Sequence, residues 1–210
     1  MDVNGKPYRA VWWQDGLWCI DQTSLPEHFQ IRKMASFSEC LSAIKGMVVR
    51  GAGTIGAFAG FCVAQGLHEG LSKADVVAQL KATRPTAVDL FAAADRVAAA
   101  EQPLLEAQKI ADEYVARGKK IGENGAALIP EGGNVLTHCN TGWIALVDYG
   151  TALASMYVSH AAGKKFHVWV NETRPRLQGS RLTAWELCAA GIANDVIVDG
   201  AAASLMAGKK

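Results

Sequence analysis

The chain of 210 residues is 50% apolar and 20% charged, with a formal net charge of +1 at pH 7. That is an ordinary globular composition with room for a small helical domain and an α/β domain. The near-neutral balance, and the lack of basic clusters interleaved with aromatics, exclude a nucleic-acid polyanion as the main partner.

Five cysteines, Cys19, Cys40, Cys62, Cys139 and Cys188, are scattered without a CxxC pair or a Cys/His ligand rhythm. That argues against a disulfide scaffold or a zinc site and fits a reducing cytoplasm. The N-terminal MDVNGKPYRA has no signal-peptide core. The most apolar helical run, 143–158, contains Asp148 and Gly150 and is too short to span a bilayer. The reading is a soluble, cytoplasmic protein with no membrane partner.

Alternation at Arg9, Val11, Trp13 and Leu17, Cys19, Asp21, with Asp15-Gly16 between, predicts a hairpin over 8–22. Pro26 ends that unit, residues 29–32 suggest a third strand, and Ser36 caps a short helix to Lys45. The pattern then turns helical. An Ala- and Phe-rich helix covers 54–67 with Gly70 beyond it. Ser72 caps 73–82 with Asp75 as its box residue. Pro85 interrupts, a helix begins at Val88, and a long one follows Pro103 through Ile121.

After Gly132-Gly133 the pattern changes. A strand over 134–138, a helix over 144–162 stopped by Gly163, and a strand over 166–171 are followed by a helix over 182–190 stopped by Gly191. A strand over 195–198 and a helix from 201 to 207 complete the order. The fold class is therefore α/β: a hairpin and helical-bundle domain over 1–130, then a Rossmann-like parallel-sheet domain over 131–210. Three parallel strands make a thin sheet, which is expected either to continue in further strands or to be covered by a partner.

Ligands of open α/β sheets bind beyond the carboxyl ends of the strands. The first such loop, THCNTG, holds Cys139. A helix N-terminus just after it would favour a thiolate there, whereas most free cysteines are small core residues. Cys19, Cys40, Cys62 and Cys188 sit in apolar patterns and read as core. The second loop, NETRPRLQG, gathers Glu172, Arg174, Arg176 and Gln178. It offers forked donors to an anion, or an internal ion pair of Glu172 with Arg174 or Arg176. The third loop contains Asp199. Upstream, VVRGAGTIGAF is a glycine-rich turn opening a helix beside Arg50, suited to a phosphate; no βαβ unit or acidic ribose ligand supports a dinucleotide. Its glycines also fit tight helix packing at Gly53 and Gly56. Arg84 before Pro85 is unremarkable by itself.

Together these segments resemble one family. VVRGAGTIGAF is similar to the RGAPAIG segment of methylthioribose-1-phosphate isomerases, and ATRPTAVDLF to their SRPTAVNL segment. THCNTG and NETRPRLQGSRLTAWEL match that family closely and at its usual separation, and IDQTSLP is also typical of it. The resemblance runs through essentially the whole chain in order. Relatives of the family include ribose-1,5-bisphosphate isomerases and the regulatory subunits of translation initiation factor 2B, which share the fold but generally lack the THCN cysteine.

The resemblance implies an aldose–ketose isomerase of methionine salvage that acts on a sugar phosphate without metal or nucleotide cofactor, as a homodimer. It implies that Cys139 is one of two catalytic residues. It also implies that Arg50, the Gly51 and Ala52 backbone, Arg84 and Gln178 hold the phosphate. Two departures stand out. Gly53 occupies the place of the family's proline, which loosens the loop. The family's catalytic aspartate lies in a GADRI segment downstream of DGAAASLMAGKK, and Asp148 and Asp199 do not match its position. The 210 residues alone are therefore expected to be weakly active or inactive. A non-catalytic ligand-binding or regulatory protein of the same fold is the alternative.

Overall fold

The computed structural model describes residues 1–208. A pair of two-residue strands, β1 (Asp2–Val3) and β2 (Lys6–Pro7), precedes the hairpin. Strands β3 (Val11–Trp13) and β4 (Leu17–Ile20) are antiparallel. Asp15 and Gly16 take φ of 52° and 136° between them, which is what Asp-Gly supplies to a tight turn. The third strand, β5 (Ile31–Met34), lies two residues later than the expected 29–32. Leu17 pairs with Met34, which turns Met34 into the core, and Phe29 is used instead in an aromatic group with Tyr8 and Trp185.

Five helices follow: α1 (Phe37–Lys45), α2 (Ala52–His68), α3 (Lys73–Thr83), α4 (Val88–Ala99) and α5 (Pro103–Gly125). Ser36 and Ser72 accept from the N–H groups of Glu39 and Asp75 and so cap α1 and α3. Every residue of α2 from 53 to 64 is buried. A helix apolar on all sides belongs inside a bundle, and α2 packs against each of the other four.

Strands β6 (Asn134–Thr137), β7 (His167–Asn171) and β8 (Asn194–Ile197) form a parallel sheet in the order β6-β7-β8. Helices α6 (Ala152–Ala161), α7 (Ala184–Ala189) and α8 (Ala202–Ala207) complete this part. Val168 and Val170 are fully buried with Leu153, Met156 and Leu187. On the other face Leu136 and Asp195, which flank Trp169 in the register, are exposed. Lys209 and Lys210, the end of the domain expected over 131–210, lie outside the described residues. No helix among the described residues is long and apolar enough to cross a membrane.

Two helix expectations are corrected. The helix expected from 144 begins only at Ala152, after a short turn at Trp143–Ala145. Between them Val147 and Tyr149 take left-handed φ of 67° and 62°. The Val147 carbonyl accepts from Ala10 N–H and the Thr141 carbonyl from Thr151 N–H, so this stretch is tied to other segments rather than to its own turns. The helix expected over 182–190 instead starts with a wide turn, Gly179–Thr183, that runs into α7.

The hairpin joins the two halves by simple alternation. Val11, Leu17 and Cys19 enter the helical core, whereas Ala10 and Ile20 enter the core under the parallel sheet. A second tie is Thr54 of α2, fully buried: its hydroxyl donates to the Ile144 carbonyl at 2.9 Å and accepts from Val147 N–H at 2.8 Å. Thr54→Val keeps the shape but strands both groups. It is expected to lower the unfolding free energy by about 1–3 kcal/mol, measured by urea denaturation; an unchanged midpoint would remove this hydroxyl from the account of the seam.

Candidate functional site

The seam between the helical bundle and the parallel sheet collects most of the residues singled out above. Gly51 turns the chain into α2 with φ of 93°, and a Cβ there would collide with Ala145. Glycine is thus required for both the backbone and the close approach. Helix α2 has no side-chain cap and no acidic residue in its first turn. Its first N–H groups and positive end are thus left without a side-chain partner of their own. Ala52 is exposed and Gly51 half-buried. Gly53 is not a loosened position: it lies within the helix, and a Cβ there would strike Leu146 and Tyr114.

Arg50 is only 8% exposed. Its guanidinium donates to Asn140 Oδ1 at 2.9 Å and to the Asn140 carbonyl at 3.1 Å. Gln22 braces the same residue by donating to the Arg50 and Ile144 carbonyls. Burial pulls the Arg50 pKa down, Cys139 and Glu186 raise it, and nearby Arg84 lowers it. Arg84, half-buried after α3, puts Nη1 3.1 Å from Met47 Sδ.

A cavity of about 410 Å³ opens beside Arg50 and Met47 and is walled by Gln178, Arg176 and Arg181, with Gln22, Thr23 and Leu182 between. Arg50 and Gln178 therefore share one space, and Arg84 reaches its wall through Met47. Cys139 does not line it, but the next residue, Asn140, is the one that bonds Arg50. Cys139 is half-buried with φ of 63°. Its N–H donates to Thr173 Oγ1 at 2.8 Å, and its carbonyl accepts from Thr183 Oγ1 at 2.7 Å. The helix terminus expected just after it is absent, because α6 starts at Ala152.

The loop after β7 is not held by the expected internal ion pair. Among the described residues Glu172 forms no ion pair with Arg174 or Arg176. Instead the Asp199 carboxylate accepts from the N–H groups of Thr173 and Arg174, both at 2.8 Å, which holds its pKa below the ordinary value. Asp199 is thus a clamp for the loop, and Asp148 pairs with the Met1 amino group at 2.8 Å. Cys19, Cys40 and Cys62 are buried as expected, with burial pushing the Cys19 thiol up to about 12. Cys188 departs from that expectation: it lies exposed on the outer side of α7, 3.5 Å from Asn194 Nδ2.

Sequence reasoning did not single out Asn140, Glu186, Gln22 or Arg181. Arg181 donates to the Leu25 carbonyl at 2.8 Å and so fastens the loop after β4 to the sheet domain. Glu186 is 1% exposed. Its Oε1 accepts from Asn140 Nδ2 at 2.7 Å, and its Oε2 from Trp143 N–H at 2.8 Å and Tyr157 O–H at 2.7 Å. Gly142 leaves no room for a Cβ against this carboxylate. A lone acid inside the apolar run LTAWELCAA was the signal available, since an unpaired buried carboxylate is rare.

The fold and the seam define an α/β protein with an arginine-lined cleft between a helical bundle and a parallel sheet. The chain belongs to the initiation factor 2 subunit family, whose sequence model matches residues 63–208. It is 47% identical to a methylthioribose-1-phosphate isomerase of Methylorubrum populi and 44% identical to one of Rhodospirillum rubrum. Both likenesses cover 98% of this chain, and 63% and 60% of those proteins.

Among solved structures, 5-methylthioribose 1-phosphate isomerase from Pyrococcus horikoshii OT3 aligns with a TM-score of 0.87 at 38% identity, over 97% of this chain and 63% of its own. Translation initiation factor eIF-2B subunit delta from A. fulgidus aligns with a TM-score of 0.85, also at 38% identity, over 96% and 65%. The chain thus spans less than two thirds of the relatives it matches.

Burial pushes the Glu186 carboxyl up to about 7, while Asn140, Tyr157, the Trp143 N–H and Arg50 pull it back. A carboxyl with a folded pKa above its unfolded 4.5 stabilises the fold below pH 4.5 and loses that contribution as pH rises through 7. The stability difference between wild type and Glu186→Gln is therefore expected to shift by about 3 kcal/mol against the wild type between pH 4.5 and 8. Urea unfolding of both proteins across that range measures it; a pH-independent difference would mean Glu186 does not titrate there.

Proposed function

We propose that the protein is an aldose–ketose isomerase interconverting 5-methylthioribose 1-phosphate and 5-methylthioribulose 1-phosphate, and that this chain supplies the phosphate cradle and one of two catalytic side chains. The observation that carries this reading is one cavity shared by Arg50 and Gln178, beside the start of α2, with Arg50 bonded to Asn140, the residue next to Cys139. The methylthioribose-1-phosphate isomerases among the relatives support it.

In this reading the phosphate accepts from the Arg50 and Arg84 guanidiniums, the Gly51 and Ala52 N–H groups and the Gln178 amide. Two cations against a dianion, at a helix N-terminus, suit that ligand. The phosphate at C1 keeps the sugar ring closed, so the ring must open before hydrogen moves from C2 to C1. The net change is internal: C2 is oxidised from alcohol to ketone as C1 is reduced, and no external oxidant is needed. Opening and transfer each need a group that gives or takes a proton. Cys139 is one such group, and by the family likeness an aspartate downstream of Lys210 is the other. The same reading makes the protein a cytoplasmic homodimer in methionine salvage, and five unpaired cysteines fit that compartment.

The equal likeness to an initiation-factor subunit favours a second reading, a non-catalytic regulatory protein of this fold. Turnover of 5-methylthioribose 1-phosphate by the protein at its natural length separates the two. Cys139→Ala is expected to lower kcat by about 100-fold or more with KM little changed. Gln178→Ala is expected to raise KM roughly tenfold with kcat held, as loss of a hydrogen bond to a charged group would. No turnover by the wild type, or equal rates with and without the thiol, would overturn the isomerase reading.

A further inference from the structure

Glu186 is a buried titratable group that the proposed chemistry does not use. Its carboxylate lies on the side of Asn140 away from Arg50 and makes three hydrogen bonds, all as acceptor. The side-chain amide of Asn140 stands between the two. Its nitrogen donates to Glu186 and to Thr183 Oγ1 at 3.1 Å, and its oxygen accepts from Arg50. The amide has two ways to sit, and only one meets both neighbours. Turned over, it would set its N–H groups against the guanidinium and its oxygen against a carboxylate oxygen. Five guanidinium donors and an acceptor-only carboxylate permit no other assignment.

We propose that Glu186 is the positioning residue of this site: its carboxylate fixes the Asn140 amide so that the amide oxygen faces Arg50, and thereby holds the guanidinium for the anion. The inference rests on the anion-binding part of the reading above and not on isomerisation. The same amide engages Thr183, whose hydroxyl holds the Cys139 carbonyl, so one carboxylate sets both Arg50 and the backbone of Cys139. Glu186 touches neither the cavity nor the thiol and acts only through Asn140 and Thr183. Once protonated, Glu186 can donate to an amide oxygen, and the reversed amide no longer conflicts with it. The positioning therefore weakens on the acid side of the Glu186 titration.

The groups facing this carboxylate are Arg50 before α2, with Cys139 and Arg84 beyond it, and Tyr157 on α6, with Asp148 behind it. The small cavity on its far side is lined by His160, Asp2 and Met1. His160 and the Met1 amino group are the other ionisable groups there that can carry a positive charge.

Two readouts test the proposal. The first is the side-chain amide signal of Asn140 in ¹⁵N NMR. In the wild type it is expected to shift between pH 5.5 and 8.5 with a midpoint near 7. In Glu186→Gln, which stays neutral, it is expected to be pH-independent and to exchange with solvent faster. In Tyr157→Phe, which removes one donor to the carboxylate but leaves Asn140 alone, the midpoint is expected to move to higher pH. A purely structural role would not move that midpoint. His160→Gln is expected to leave it in place.

The second readout is the affinity for sulfate, a tetrahedral dianion that does not titrate in this range. Glu186→Gln is expected to weaken it roughly tenfold, and Tyr157→Phe to leave the plateau at high pH unchanged. An Asn140 signal identical in wild type and Glu186→Gln, or a pH response abolished by His160→Gln, overturns the proposal. If the wild type fails to bind sulfate, the anion site itself falls, and the NMR signal still decides whether Glu186 sets the amide.

Discussion

Arg50 is a cation taken out of water, and the seam is built around that fact. A buried guanidinium needs acceptors, yet its direct partners are an amide oxygen and a backbone carbonyl, both on Asn140 and both neutral. The nearest carboxylate, Glu186, stands one residue further away. This spacing separates orientation from neutralisation. Asn140 fixes where the guanidinium points without cancelling its charge, so the positive potential remains for whatever enters the cavity beside it. A carboxylate in direct contact would have stabilised Arg50 and weakened it as an anion receptor.

Bringing a helical bundle this close to a parallel sheet costs backbone freedom. Gly51, Gly53, Gly118 and Gly122 all lie where a Cβ would meet the opposite half. Six of the eight non-glycine residues with left-handed φ among those described, Met47, Cys139, Val147, Tyr149, Thr173 and Leu177, lie along this seam. For β-branched Val147 and Thr173 that conformation is unfavourable by of order 1–3 kcal/mol. It persists because outside hydrogen bonds over-determine it: Val147 is gripped by Ala10 and Thr54, and Thr173 by Asp199 and Cys139. That strain is gathered on the loops that carry Cys139 and Gln178.

Most of the element order was legible because it follows from short-range rules. Ser36 and Ser72 read as caps, Asp15-Gly16 as a turn and Gly191 as a stop, and each acts through its own few neighbours. The helix expected from Ile144 failed because the segment is apolar for another reason: Trp143, Ile144 and Val147 are buried by tertiary contact while their backbone bonds go elsewhere. Periodicity cannot distinguish a buried irregular stretch from a buried helix. Cys188 failed the same way, since the apolar run around it has one exposed face. Of the site, Arg50, Cys139 and Gln178 were visible as polar residues in loops after strands or before a helix. Asn140 and Glu186 were not, because their importance lies in partners 90 and 46 residues away.

The contacts of Cys139 separate its backbone from its side chain. Its N–H and carbonyl are bound by Thr173 and Thr183 and belong to the scaffold. Its thiol makes no hydrogen bond among the described residues. The Arg50–Asn140–Glu186 chain likewise uses none of its side-chain atoms. The scaffold therefore survives any small side chain at position 139 that tolerates φ of 63°, and the sulfur itself carries none of it. A lineage can lose the thiol and keep the cleft, the arginine and the packing. This arrangement ties the fold to Arg50 and Glu186, and leaves the Cys139 thiol without a structural duty.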